Sequence, residues 1–250
     1  MEIQTLLWRN MKWRYSNAFT IVLTIIQPLL WLVLYSMVAT STMKNIGINN
    51  YTNFIIPGLF ILVAFGTCSS SGIMNYLFKR DGSFYRILIA PVSRVSIVMA
   101  QILEACLCTL LEAAIMFVAG IILGGRINCD VIGILLIILM LVLVAFFMAG
   151  ITYSISLYLP NEMIFETVMN AIVLPLFFVS SALFPIEDIS GGIKIAINMN
   201  PFTHSINVIR DTMNGNLNGN NAIYTVLLFV ILDVFSLMLA YYSLKKETKL

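Results

Sequence analysis

Residues 131–157 read VIGILLIILMLVLVAFFMAGITYSISL and carry no charged side chain. A helix needs about 20 mainly apolar residues to cross about 30 Å of hydrocarbon, so this run predicts a membrane-spanning helix. Its apolar residues are continuous and do not alternate, so it does not match a strand of a membrane barrel. Five other runs have the same character, and the six predicted spans cover residues 18–40, 54–78, 95–123, 131–157, 167–184 and 222–244.

The composition of the whole chain agrees with this reading. Of the 250 residues, 60% are apolar and 10% are charged, and the mean hydropathy is +0.96. Soluble domains are about 45–50% apolar and about 25% charged. The net charge of +2 gives no indication of a nucleic-acid partner, and the four cysteines form no disulfide framework. We therefore expect an all-α integral membrane protein with a single transmembrane domain over residues 1–250, surrounded by the lipid bilayer.

The distribution of basic residues predicts the orientation of the spans. If the N-terminus is cytoplasmic, ten of the 14 lysines and arginines lie on the cytoplasmic side and four lie outside. Cytoplasmic loops of membrane proteins carry an excess of basic residues. We therefore expect six spans with both termini in the cytoplasm, in a multi-pass protein of the cell membrane.

Three segments outside the spans have a composition of their own. Residues 1–17 place apolar side chains at helical spacing between basic ones, which predicts a helix in the membrane interface, with a plain basic flank as the alternative. Residues 79–94 read KRDGSFYRILIAPVSR and predict a turn, a short helix over residues 84–90 and a stop at Pro91. Residues 185–221 are too apolar for a solvated loop and too interrupted for a span, so we expect short helices that re-enter the outer leaflet.

Two stretches resemble the hallmarks of ABC-type-2 transporter permeases. Residues 79–101 begin with basic residues, continue with a short helix and contain the sequence APVSR, as the cytoplasmic loop of that family does. Residues 180–211 contain SSALFP, NPFTH and an Arg-Asp pair, as the family's outer re-entrant segment does. Ser181 stands where a glycine is usual, and Gln101 stands where a lysine is common. The outer motif comprises Phe184, Pro185, Asn200, Pro201 and His204.

The resemblance implies a function and a set of partners. A chain of this family is the transmembrane permease subunit of an ATP-driven exporter and works as a dimer of like or unlike permeases. Each half rests on a separate ATP-binding subunit, which uses ATP and Mg²⁺. The 250 residues contain no Gly-Lys pair and therefore no Walker-type phosphate loop. We accordingly expect no enzyme activity from the chain by itself and no directly bound cofactor.

The short helix of residues 84–90 is the expected contact with the ATP-binding subunit. Phe84, Ile87 and Leu88 follow helical spacing and form one apolar edge that fits a groove on a partner. Arg86 and Pro91 complete the predicted coupling site. A helix lying in the lipid headgroup layer would have the same pattern, and this alternative stays open.

Polar groups within the predicted spans form a second candidate site, because a charge at the centre of a bilayer costs about 2.5–3.5 kcal/mol even on insertion scales. Gln101, Glu104 and Glu112 fall on one face of the third span, and Asp233 lies at the middle of the sixth. We expect no lysine or arginine at their depth.

Two interpretations of these groups stay open. In the functional one, they line a path for a cationic or polyol-bearing substrate. In the structural one, the carboxyl groups are neutral and hold the spans together through hydrogen bonds, for example to Gln27, residues 69–71 or Asn170.

His204 is the only histidine, so a metal site built on several histidines is excluded. We expect it to cap the short outer helix after Pro201.

Two rival functions stay open, a proton-coupled secondary transporter and, less favoured, a polytopic membrane enzyme. Six spans without an evident inverted repeat fit the first poorly. The second needs a nucleophile and a base at one depth, whereas the histidine is far from Glu104 and Glu112.

Overall fold

The computed structural model describes residues 2–16, 18–42, 51–125, 128–183, 191–216 and 218–247, and within these ranges the chain forms helices and no strands. The all-α class is therefore confirmed. The helices are α1 (Glu2–Ser16), α2 (Ala18–Thr42), α3 (Tyr51–Arg80), α4 (Ser83–Ile89), α5 (Arg94–Ile122), α6 (Val131–Tyr158), α7 (Glu162–Phe178), α8 (Gly192–Met199), α9 (Pro201–Met213) and α10 (Gly219–Glu247).

Four of the described helices are each long and apolar enough to cross a membrane, namely α3, α5, α6 and α10. α1 and α2 together form a fifth candidate, bent by 70° between Glu2–Ser16 and Ile21–Tyr35. α7 has 17 residues and is about 25 Å long at about 1.5 Å per residue. It begins before the predicted span 167–184, because the Asn161 side chain accepts a hydrogen bond from the Ile164 N–H at 2.9 Å and caps the helix there. The chain is a multi-pass membrane protein.

α6 lies at the centre of the helix bundle and packs against α3, α5, α9 and α10. Met140, Val144 and Met148 follow one another at one-turn spacing and are buried. Gly150 faces α10, where an added Cβ would come within 2.7 Å of Ser236 Oγ. The missing side chain therefore allows the two helices to approach closely.

Two local signals shape the connection between α3 and α5. Gly82 has a φ of 71°, a left-handed conformation that glycine adopts without a steric penalty, and α4 begins directly after it. α4 ends at Ile89, and Ala90 is extended with a ψ of 151°, because the ring of Pro91 disfavours a helical conformation in the residue before it. The predicted turn, short helix and proline stop are all present.

Candidate functional site

α1 packs against α5 through its polar side chains. Asn10 and Arg14 are buried, whereas Trp8 is 71% exposed. The Asn10 amide donates to Gln101 Oε1 at 3.2 Å, and Arg14 Nη1 donates to Glu104 Oε1 at 2.9 Å. The apolar residues that predicted an interfacial helix are exposed or half-buried. Asn10 and Arg14 lie on the same helix face as these residues, so that face also makes the long-range polar contacts.

The first turn of α1 is fixed by a separate contact. Glu2 Oε2 accepts a hydrogen bond from the Ser93 N–H at 3.2 Å and another from Ser96 Oγ at 3.0 Å. Ser93 is the cap of α5 and follows the loop that contains α4. The start of α1 is therefore tied to this loop.

Glu104 lies at the centre of a buried polar cluster. Besides the Arg14 contact, its Oε2 accepts a hydrogen bond from Ser71 Oγ at 2.7 Å. Gln101 Nε2 donates to the same Ser71 Oγ at 2.8 Å. Ser71 is thus the member of residues 69–71 that contacts the glutamate, and the contact joins α3 to α5.

Glu112 extends the cluster to α2. It accepts hydrogen bonds from Thr24 Oγ1 at 2.9 Å and from Thr67 Oγ1 at 2.6 Å, and its Oε1 lies 4.0 Å from Arg14 Nη2. The side chains of Glu104 and Glu112 are both 0% exposed. We name this cluster the Arg14 network: one guanidinium, two carboxylates and the hydroxyl groups of Thr24, Thr67 and Ser71.

The expectation that no basic residue lies at the depth of the glutamates is wrong. The bend between α1 and α2 lays the last turn of α1 beside α5, so Arg14 reaches both carboxylates although it is 90 residues away from Glu104 in sequence. Gln101, Glu104 and Glu112 therefore face a helix-joining network. Their role in a substrate path stays a prediction. In this structure the three residues are buried.

Asp233 lies apart from this network. It is on α10, which packs chiefly against α6, and it is 8% exposed. Its Oδ1 is buried and has no hydrogen-bond partner within the described ranges. Its assignment to a substrate path also stays a prediction.

A cavity of about 430 Å³ lies between α2, α3 and α7, within the range of about 300–1,000 Å³ that small-molecule sites occupy. Thr24 connects it to the Arg14 network, since this residue lines the cavity and its hydroxyl group bonds to Glu112. No residue pattern in the sequence indicated this cavity. Its polar lining residues are Thr24, Gln27, Ser69, Ser70, Glu166 and Asn170.

The predicted coupling residues divide into an inner and an outer side of α4. Phe84 is 3% exposed and lines a small internal cavity with Leu6 and Phe78, so its place on a docking edge is wrong. The ring fills the chain's own core because helix α1 covers this side. Ile87 and Leu88 are half-buried.

The free side of α4 carries different residues. Ile89 is 86% exposed, Tyr85 is 56% exposed, and Arg86 is also exposed. We name these three residues the α4 outer face. Pro91 is exposed directly after it. Of the predicted coupling residues, Arg86 and Pro91 are thus the ones on the surface.

Lys79 fixes α4 relative to the end of the chain's last helix. Its Nζ lies 2.7 Å from Glu247 Oε1 of α10 and 5.4 Å from the centroid of the Phe84 ring. The end of α3, the start of α4 and the end of α10 are therefore connected through one side chain.

Asn200 explains the asparagine-proline pair of the outer motif. Its Nδ2 donates to the carbonyl groups of Leu176 and Val179, both at 2.7 Å, and its Oδ1 accepts from the Phe202 N–H at 3.0 Å. One side chain thus caps the end of α7 and the start of α9. Pro201 occupies the first turn of α9, where its missing N–H leaves no bond unmade.

The expected capping role of His204 is wrong, because Asn200 occupies that position. His204 Nε2 instead contacts the carbonyl oxygen of Asn198 at 3.0 Å and so links α9 to the end of α8. Phe184 and Pro185, the other motif residues, lie outside the described residues.

Arg210, from the Arg-Asp pair of the outer segment, has a structural role. Its guanidinium lies 3.8 Å from the centroid of the Phe54 ring and donates to the carbonyl groups of Phe54 at 3.2 Å and Ser181 at 2.6 Å. Ser181, at the position of a usual glycine, places its hydroxyl 2.8 Å from Asn207 Oδ1. Burial raises the pKa of the adjacent Asp211 carboxyl, while the charge of Arg210 opposes this rise.

The known proteins to which this chain is similar are named as transport permeases. Residues 1–214 match the family described as ABC-2 type transporter. A protein of Cyanophora paradoxa named as transport permease ycf38 is 27% identical over 201 residues, covering 78% of this chain and 68% of the relative. Its namesake in Porphyra purpurea is 26% identical over 213 residues, covering 84% and 72%. A Mycobacterium tuberculosis protein named as doxorubicin resistance ABC transporter permease DrrC is 26% identical over 210 residues, covering 83% and 75%.

Proposed function

Since the chain belongs to the ABC-2 type transporter family, we propose that it is the membrane permease subunit of an ATP-driven exporter. The observation that carries the proposal is the family match over residues 1–214, and the apolar helices of the fold support it. The relative named as a resistance permease supports export as the direction of transport.

The energy source belongs to a separate subunit in this proposal. The 250 residues contain no Gly-Lys pair with which to hold ATP phosphates, so ATP and Mg²⁺ are bound by a partner ATP-binding subunit. The permease acts as a dimer with a second copy or with a homologous chain. This arrangement follows the family to which the chain belongs.

The proposed topology has six spans and cytoplasmic termini, in the cell membrane. The ten-to-four distribution of basic residues supports this orientation. The four long apolar helices and the α1–α2 pair support five of the crossings, and α7 supplies the sixth as a short span. In this topology α8 and α9 re-enter the outer leaflet.

We assign the contact with the ATP-binding subunit to the α4 outer face. Tyr85 and Ile89 are large apolar residues on the surface of a short helix, a pattern that fits a groove on a partner protein. Phe84 anchors the opposite side of α4 in the core, and Lys79 ties it to α10. A displacement of α4 by the partner would therefore pass into α3 and α10.

The proposed path for the substrate is the cavity between α2, α3 and α7 rather than the polar face of α5. The cavity is open space of suitable size, whereas Glu104 and Glu112 are enclosed by partners. The ion pair with Arg14 also gives these carboxylates a structural role. They are therefore weaker evidence for the rival function, a proton-coupled transporter.

The test of coupling is a double substitution, Tyr85→Asp with Ile89→Asp. We expect the variant to insert normally but to lose co-purification with the ATP-binding subunit, because two charges cannot enter an apolar groove. Ile193→Asp is the matched control, since Ile193 is 64% exposed and lies on α8, on the outer side in the proposed topology. Unchanged recovery of the ATP-binding subunit with the double variant would contradict the assignment.

A further inference from the structure

We propose that the cavity between α2, α3 and α7 binds an organic cation with a large apolar body. The proposal rests on the proposed function only in treating the cavity as part of the transport path. Binding itself requires no ATP, so it is testable on the chain alone.

Glycines of α3 shape the cavity. An added Cβ at Gly58 would lie 2.7 Å from Ala182 Cβ, and one at Gly72 would lie 2.5 Å from Phe165 Cζ. Between these tight contacts, an added Cβ at Gly66 would meet no atom within 4 Å, and Gly66 lines the cavity. The opening is therefore a defined gap between two closely packed contacts, and not a region of loose packing.

Along α7, the lining of the cavity changes from polar to apolar. Glu166, Asn170 and Leu174 follow one face of α7 and span about 12 Å at about 1.5 Å per residue. Because Gly58 lies near Ala182 and Gly72 lies near Phe165, α3 and α7 run antiparallel. The serines at positions 69–70 are thus near the Glu166 end, and the apolar side chains of Leu62 and Phe65 are toward the Leu174 end.

The charges around the cavity favour a cation. Glu166 supplies a carboxylate, and the described lining contains no lysine or arginine. Negative groups near a low-dielectric cavity attract cations. The apolar end accommodates a hydrophobic body and disfavours a polyol, which would lose its hydrogen bonds to water there.

The first experiment measures equilibrium binding of radiolabelled tetraphenylphosphonium to the purified full-length chain in lipid nanodiscs, without ATP or another protein. We expect saturable binding. Gly66→Trp is expected to remove it, because the indole ring would occupy the gap. Ile231→Trp is the matched control, since it adds the same ring at a position of α10 that is 67% exposed, and it is expected to leave binding unchanged. Normal binding by Gly66→Trp would overturn the placement of the site.

The second experiment tests the charge preference. Glu166→Gln is expected to weaken tetraphenylphosphonium binding about tenfold and to change binding of the uncharged triphenylphosphine oxide less than about twofold. Glu162→Gln removes a carboxylate one turn earlier on α7, outside the described lining, and is expected to have the smaller effect on the cation. Unchanged cation affinity in Glu166→Gln would overturn the proposal. Cation binding without ATP-driven transport by the reconstituted complex would support this site and contradict the proposed function.

Discussion

Replacing Arg14 with methionine tests whether the buried ion pair holds α1 in place. The Arg14 side chain is 3% exposed and both glutamate side chains are 0% exposed, so the variant would leave two buried carboxylates without a cation. Removing one partner of a buried ion pair costs about 3–5 kcal/mol. A loss of about 1 kcal/mol lowers the Tm of a chain of this size by about 2–4 °C, so we expect the Tm to fall by roughly 6–20 °C.

Cys108 is a built-in reporter for the position of α1. Its Sγ lies 4.0 Å from Met11 Sδ of α1 and 3.5 Å from Glu104 Oε1, and the residue is 5% exposed. If α1 separates from α5, a small maleimide should label Cys108, and mass spectrometry would measure the labelling of each cysteine. Cys68 is 0% exposed in α3 and should stay protected, which distinguishes local release of α1 from global unfolding.

Two matched variants complete this experiment. Lys12→Met removes one positive charge from an exposed position of the same helix and should change stability by no more than about 0.5 kcal/mol. The triple variant Arg14→Met, Glu104→Gln, Glu112→Gln replaces the ion pairs with neutral groups of similar size and should recover most of the lost stability. Wild-type Tm and full protection of Cys108 in the single Arg14 variant would refute the reasoning.

Three further substitutions test other parts of the account. Asn200→Ala removes a helix cap and leaves two carbonyl groups without their donor, so we expect the free energy of unfolding in denaturant to fall by about 2–4 kcal/mol. The control Asn198→Ala changes an exposed residue and should leave the free energy of unfolding unchanged. Gly72→Ala overpacks the contact between α3 and α7 and should cost about 1–3 kcal/mol; an unchanged Tm would contradict the close approach. Lys79→Met removes a partly exposed ion pair with Glu247 and should lower the free energy of unfolding by only about 0.2–1 kcal/mol. It should nevertheless reduce ATP hydrolysis by the complex measurably. Intact hydrolysis would exclude Lys79 from coupling.

The elements that local sequence determines were the ones that could be predicted. α6 follows from an uninterrupted apolar run, and the end of α4 follows from the restriction that Pro91 places on Ala90. The start of α7 was harder to predict, because the cap at Asn161 lies before the apolar run that marked the predicted span. A polar cap carries no hydropathy signal.

The candidate site could be predicted only in part, because its contacts are distant in sequence. Helical spacing correctly placed Gln101, Glu104 and Glu112 on one face of α5, and that face meets a single cluster. The partner of that face, Arg14, appeared in the sequence as one of several basic residues beside a membrane span. Its reach to α5 depends on the bend between α1 and α2, which no local pattern encodes.

The same limit applies to Phe84 and to the cavity. The apolar edge of α4 was identified correctly, but spacing alone does not say whether such an edge meets a partner protein or the chain's own core. The cavity depends on the difference between Gly66, which faces open space, and Gly72, which faces Phe165. Both glycines look alike in the sequence.

The central claim is that this permease moves its substrate with ATP hydrolysed in another subunit. The most direct measurement is the ATP hydrolysis rate of material purified through a tag on this chain, either from its native membranes or after expression alone in a foreign host. We predict hydrolysis by the native complex, none by the chain alone, and loss of hydrolysis when Tyr85 and Ile89 are changed to aspartate. A native preparation that hydrolyses ATP no faster than the chain alone would contradict the claim.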